Sequence, residues 1–93
     1  MLYREEIIIK KGTMEREEIY EKLTDVFNTV FDELGGISIN DSTSSEDVEG
    51  WDSLAQIQLV SLIQSTFSIK FSAKEMLSWD NVGQMVDTIQ SKL

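Results

Sequence analysis

The apolar residues of the first half of the chain recur at helical spacing. Between residues 14 and 34 they fall on one stripe of an amphipathic helix. Thr13 can cap this helix near Met14, and Gly35 and Gly36 predict its end, because glycine adopts the left-handed C-cap conformation without steric cost. The stripe comprises Ile19, Leu23, Val26, Phe27, Val30, Phe31 and Leu34.

Residues 37–52 break this pattern and predict a loop. The segment is rich in serine, threonine, aspartate and glutamate, and we expect Ile37, Ile39 and Val48 to hold it against the core. It is longer than most connections between helices, and unusually long loops are often functional.

A second helix is predicted from Asp52, as its N-cap, to Phe67. Its apolar residues form a broad face, which predicts a helix packed centrally against several others. We expect the polar side to comprise Ala55, Gln56, Gln58, Gln64, Ser65 and Thr66. The predicted buried face comprises Leu54, Ile57, Val60, Ile63 and Phe67, widened by Leu59 and Leu62.

The last third of the chain predicts a short helix and a longer one. Ile69 and Phe71 are expected to point inward before Ser72 and Glu75 form a capping box, which starts a short helix through Leu77. The final helix has apolar residues at helical intervals, namely Val82, Met85, Val86, Ile89 and Leu93.

These elements predict an all-α fold, a small bundle of three longer helices and one short helix with a long loop between the first two. The bundle occupies residues 14–93. Residues 1–13 do not share its pattern, and we expect them to form a poorly ordered extension. Trp51 and Trp79 are each expected to anchor a loop against the core.

Composition narrows the possible functions. The chain has 93 residues and no cysteine or histidine, so it lacks the commonest general base and the commonest metal ligands. The net charge is -9, and residues 14–52 carry twelve acidic and two basic side chains. This charge disfavours nucleic acids and anionic membranes as partners and favours basic proteins. With no apolar run long enough to span a membrane, a cytoplasmic protein is expected.

Ser53 is the candidate for chemistry. It is a poor hydrolytic nucleophile, because the chain offers no histidine base and no G-x-S-x-G elbow surrounds it. One alternative is that Asp52 and Ser53 only start a helix, in a non-catalytic protein-interaction domain. Another is that Ser53 carries a phosphate ester, since the first-turn N–H groups and the helix dipole favour a phosphate there.

The segment GWDSLAQIQLV, with Asp52, Ser53 and Leu54 at its centre, resembles the prosthetic-group attachment motif of acyl carrier proteins and related carrier domains. The resemblance extends over residues 14–93. It implies that a phosphopantetheinyl transferase esterifies Ser53 with 4'-phosphopantetheine, whose thiol holds acyl or aminoacyl groups as thioesters. Asp52 and Leu54 would flank the site, although Leu54 could equally be an ordinary core leucine.

The resemblance also implies partners. A carrier of this kind is not itself an enzyme, and it works as a monomer with an acyl- or aminoacyl-activating ligase and with an acyltransferase or condensing enzyme. Carriers of the fatty-acid type have acidic residues along the helix after the serine, but no acid occurs here between Ser53 and Lys74. We therefore expect partners to dock on the loop acids Glu46, Asp47 and Glu49, in a specialised biosynthetic pathway rather than bulk fatty acid synthesis.

A calcium-binding loop is a further alternative for the acidic segment. Oxygen ligands could come from Asp41, Thr43, Ser45 and Asp52. Glu46, however, stands where the sharp turn of such a loop requires glycine. The sequence therefore disfavours a metal site.

Overall fold

The computed structural model describes residues 14–93, which form four α-helices. Helix α1 is Arg16–Val30, α2 is Ser53–Phe67, α3 is Ala73–Leu77 and α4 is Val82–Ser91. Short 3-10 turns occupy Asp32–Leu34 and Ser45–Asp47. The all-α class and the order of three longer helices and one short one are confirmed. The predicted extension, residues 1–13, lies outside the described residues.

Helix α1 is shorter at both ends than predicted. It starts at Arg16 with Glu15 as N-cap, and Thr13, the predicted cap, lies outside the described residues. Its α-helical part ends at Val30, after which the chain tightens into the 3-10 turn. A 3-10 turn has 3.0 residues per turn instead of 3.6, so it rotates Leu34 off the stripe, and that side chain is 36% exposed. Gly35 then takes the left-handed conformation, with φ 76°.

Helices α2 and α4 both pack on α1 and enclose the core. The three longer helices supply most of the core, as predicted for an amphipathic bundle, whereas α3 and the two 3-10 turns contribute no buried residue. Its fully buried side chains are Ile19, Leu23, Phe27, Leu59, Ile63, Met85, Ile89, Val82 and Val86.

The predicted buried face of α2 is wrong for three leucine and isoleucine positions. Leu54 is 64% exposed, Ile57 65% and Leu62 36%. Ala55, assigned to the polar side by the sequence, is buried. Apolar residues surround most of this helix, so more than one stripe could face inward, and packing on α1 selects one side. The residues buried from α2 are Ala55, Leu59, Val60, Ile63 and Phe67.

The long loop is attached to the bundle by backbone hydrogen bonds and by apolar side chains. The backbone N–H groups of Val82 and Gly83 donate to the carbonyls of Thr43 and Asp41, at 2.8 and 3.0 Å. A Cβ on Gly83 would lie 2.8 Å from the Asp41 carbonyl oxygen, so this close approach requires glycine. The predicted anchor Val48 is buried, and Ile37 and Ile39 pack against the core.

The segment between α2 and α4 follows the prediction. Phe71 is buried, and its N–H donates to the side chain of Gln64 at 2.8 Å. Trp79 packs edge-on against Phe71 with ring centroids 4.8 Å apart. Ser72 and Glu75 form the predicted capping box at the start of α3. No helix among residues 14–93 is long and apolar enough to cross a membrane.

Candidate functional site

Ser53 is the first residue of α2 and is exposed. Asp52 precedes it as the N-cap, as predicted, and its Oδ1 accepts the Ala55 N–H at 2.9 Å. Because Asp52 satisfies the N–H of the third helical residue, the N–H groups of Ser53 and Leu54 are the first-turn donors that lack an intrahelical acceptor. The serine hydroxyl therefore stands at the open, positive end of a fifteen-residue helix.

Trp51 holds the chain immediately before this helix. Its ring packs edge-on against Phe27 of α1, with centroids 5.2 Å apart. Its indole Nε1–H donates to Gln56 Oε1 at 2.7 Å, which ties the ring to the first turn of α2. The sequence placed Gln56 on the polar side of α2. In the structure its side chain instead holds Trp51, and so fixes the segment that leads into Ser53. The predicted anchoring role of Trp51 is confirmed.

A groove opens beside Ser53, between the start of α2, helix α3 and the start of α4. Its volume is about 580 Å³. Its polar lining includes Asp80 and Asn81. Its apolar and aromatic lining comprises Trp51, Ile57, Met76, Leu77, Trp79 and Met85. The sequence predicted α3 but not this groove, because helical spacing within a five-residue helix does not show which neighbour it faces. Leu77, 86% exposed, is the residue whose role the sequence missed most clearly.

Leu54 lies in a second depression on the other side of the helix start. This depression, of about 630 Å³, is also lined by Asp32, Glu33, Glu49 and Asp52. Leu54 is thus not the core leucine that was one of its two predicted roles. Its other predicted role, beside the base of a prosthetic arm, stays a prediction.

A charged cluster joins α1, the loop and α4. Arg16 bridges Asp41 at 3.0 Å and Asp87 at 2.8 Å, and the Tyr20 hydroxyl donates to Asp41 as well. The hydrogen bonds from Tyr20 and Arg16 lower the pKa of Asp41. Burial, followed by the bond to Asp41, raises the pKa of Tyr20 to about 12.

The contacts of this cluster engage one of the residues that the sequence offered as calcium ligands. Asp41, its first candidate ligand, is paired with Arg16, and the carboxylate of Asp52 caps α2. Among residues 14–93, no group of three or more acidic, histidine or cysteine side chains is placed to hold a metal ion. The acidic loop is held by contacts within the protein.

Comparisons with known proteins agree with this geometry. The family model described as the phosphopantetheine attachment site matches residues 21–89. A solved structure of similar fold is the solution structure of a holo acyl carrier protein from Geobacter metallireducens, with a TM-score of 0.73 and 32% sequence identity. The match covers 80% of this chain and 84% of that one. No curated protein matches the chain significantly.

Proposed function

The chain belongs to the phosphopantetheine attachment-site family, and from this premise we propose that it holds acyl or aminoacyl groups as thioesters on a 4'-phosphopantetheine arm attached to Ser53. The prosthetic group of the family is 4'-phosphopantetheine, and it supplies the thiol that forms the thioester. The chain has no cysteine of its own, so every thiol of the loaded protein would come from this group.

The observation that carries the proposal is the exposure of Ser53 beside a groove. A transferase needs access to the hydroxyl, and an arm attached there needs a surface along which to lie. The apolar side chains of Ile57, Met76 and Leu77 suit the hydrocarbon parts of an arm or its cargo, and Asp80 and Asn81 suit its amide groups.

The start of α2 fits the phosphate of the attached group. The free N–H groups of Ser53 and Leu54 and the helix dipole favour an anion at this position. Asp52 keeps its carboxylate on the Ala55 N–H and so fixes the first turn. The residues of this chain orient and expose the attachment point; the bond-making step belongs to the transferase.

The partners follow from this role. Carrier domains are generally non-catalytic and act with separate enzymes, and we assign this chain a phosphopantetheinyl transferase, an activating ligase and an acyltransferase or condensing enzyme. Its uncharged second helix supports a specialised pathway rather than bulk fatty acid synthesis. A monomer in the cytoplasm completes the proposal.

Intact mass tests the proposal directly. The chain is coexpressed with a broad-specificity phosphopantetheinyl transferase, and we expect wild type to gain the mass of one phosphopantetheine group while Ser53→Ala gains none. Ser91→Ala, which removes an exposed serine at the end of α4, is the matched control and should be modified like wild type. A maleimide reagent should then label only the modified protein.

The alternative function is a helical interaction domain in which Ser53 only starts a helix. An unmodified wild type would support this alternative and refute the carrier. Modification that persists in Ser53→Ala would place the attachment elsewhere and refute the assignment of Ser53.

A further inference from the structure

The groove beside Ser53 has a charge as well as a shape. Its titratable lining residues are Asp52 and Asp80, and no lysine or arginine among residues 14–93 lines it. An arm attached to Ser53 adds the negative charge of its phosphate diester. Any group that enters the groove on the end of this arm therefore meets a negative potential.

The two carboxylates of the groove differ in what they contact. Asp52 adjoins the attachment point, and its Oδ1 accepts the Ala55 N–H at 2.9 Å. Asp80 lies on the α4 side of the groove and is exposed. The ion pairs that the structure shows within residues 14–93 all involve other carboxylates, so none of them neutralises Asp80. Asp80 is thus the acid of the groove that a ligand can pair with.

The backbone around Asp80 is held in place. Its N–H donates to Gln84 Oε1 at 2.6 Å, and Asn81 Oδ1 accepts the Gln84 N–H at 2.9 Å. These reciprocal bonds fix the residue at the start of α4. A ligand that pairs with the Asp80 carboxylate therefore does not have to order the backbone first, which lowers the entropic cost of binding.

Two tryptophans line the same groove, Trp51 and Trp79. Trp79 immediately precedes Asp80. Its ring packs edge-on against Phe71, and its Nε1–H donates to Thr88 Oγ1 at 2.9 Å. Aromatic rings attract cations at their faces, and a neighbouring carboxylate adds a full negative charge. This part of the lining suits an ammonium group.

The acyl groups that a carrier could hold differ in charge. A hydrocarbon acyl group is neutral, a dicarboxylic acyl group keeps one carboxylate, and an aminoacyl group carries an ammonium at neutral pH. In this groove a carboxylate is repelled, and a hydrocarbon chain would cover Asp80 without giving it a partner. Asn81 can meet the amide groups of the arm, which need no charged partner.

We propose that the cargo of this carrier is aminoacyl and that its ammonium group pairs with Asp80 in the groove beside Ser53. This inference rests on the proposed function, since it requires an arm on Ser53. It selects, of the two kinds of activating ligase that the proposed function allows, the one that activates amino acids.

Four cargoes that differ in one substituent test the inference. Alanyl, lactyl, propionyl and methylmalonyl groups share a methyl group and carry an ammonium, a hydroxyl, a hydrogen and a carboxylate on the same carbon. Each is joined as an amide to a coenzyme A analogue in which an amine replaces the thiol, so that it does not hydrolyse. A broad-specificity phosphopantetheinyl transferase loads each one onto Ser53, and intact mass verifies the loading.

Nuclear Overhauser effects then measure how much of the cargo lies in the groove. They are recorded between the shared methyl group and the side chains of Met76, Trp79 and Met85, at about pH 6.5, where an α-amino group is protonated. We expect the alanyl effects to be about two- to fivefold stronger than the lactyl and propionyl ones, because an exposed ion pair gives a modest gain. The methylmalonyl effects should be the weakest, and sodium chloride should reduce the alanyl excess.

Variants of Asp80 assign the charge. Asp80→Asn keeps the size of the side chain and should lower the alanyl effects to the lactyl level. Asp80→Lys reverses the sign and should make the methylmalonyl effects the strongest. Asp25→Asn removes one charge from an exposed position of α1 that does not line the groove, and it should keep the wild-type order. Urea denaturation checks that each variant is folded.

The outcomes separate this inference from the proposed function. A wild type that accepts no arm refutes the carrier itself. A loaded wild type with equal effects for all cargoes, or with the strongest effects for propionyl, overturns the aminoacyl cargo alone. An alanyl preference that persists in both Asp80→Asn and Asp80→Lys overturns the pairing with Asp80.

Discussion

Helices α1 and α2 have the same length of fifteen residues and pack on each other, yet the sides that they expose to water differ in polarity. Helix α1 buries Ile19, Leu23, Val26 and Phe27 and exposes a row of acids. Helix α2 buries an equally apolar side but exposes Leu54 and Ile57 as well. The outer side of α1 is suited to remain solvated, whereas the outer side of α2 would gain from being covered.

This difference separates two reasons for apolar residues in one small bundle. On α1, apolar residues occur where the core needs them, so stability accounts for all of them. On α2, the core accounts for Leu59 and Ile63, but not for Leu54 and Ile57. These exposed apolar residues, which the core does not explain, lie beside Ser53, where the proposed partners act.

The largest expected effect comes from truncating the inner side of α2. Leu59→Ala should lower the free energy of unfolding by about 2–5 kcal/mol, because the side chain is fully buried and leaves a cavity. Leu62→Ala makes the same change on the outer side and should cost about 1 kcal/mol or less. Urea denaturation followed by circular dichroism measures both. Equal losses would contradict the division of α2 into an inner and an outer side.

A smaller effect on the free energy of unfolding is expected from the N-caps, which differ between the two helices. Asp52 Oδ1 accepts the Ala55 N–H of α2 at 2.9 Å, whereas at α1 the Glu15 N–H donates to Glu18 at 3.3 Å. Asp52→Ala should destabilise the protein by about 1 kcal/mol through loss of the cap. Asp52→Asn keeps an acceptor and should lose less, as measured by thermal or urea denaturation. An alanine variant as stable as wild type would show that the cap is dispensable.

The smallest effect at neutral pH is expected at Tyr20 of α1, because solvent competes for its contact with the exposed Asp41. At high pH the contact becomes visible. The pKa of Tyr20 is raised from 10.0 to about 12, so the fold favours the protonated phenol. Its stabilising contribution is complete below pH 10 and is lost as the pH rises toward 12.

The variant Tyr20→Phe isolates this contribution, since it cannot titrate. Urea denaturation between pH 9 and 12 should show a steeper loss of stability in wild type than in Tyr20→Phe. Helix α2 has no titratable side chain, so it adds nothing to this alkaline dependence. Parallel pH profiles for the two proteins would refute the assignment.

The sequence alone determined the features that depend on neighbours a few residues away. The start of α2 after the Asp52 cap, its end near Phe67, the capping box at Ser72 and the buried positions Val82, Met85, Val86 and Ile89 of α4 were all predicted. They could be predicted because caps and helical periodicity act within one or two turns of chain. The attachment motif around Ser53 is local in the same sense.

Only the tertiary structure decided which side of α2 faces the core, because a helix that is apolar on both sides has no inward side until it packs against α1. It also decided that Leu34 leaves the stripe of α1 in a 3-10 turn and that Leu77 and Met85 both line the groove beside Ser53. The contacts of Arg16 with Asp41 and Asp87 join residues far apart in the chain. Such features depend on which segments pack against each other, because burial results from contacts between distant segments and cannot be read from one segment alone.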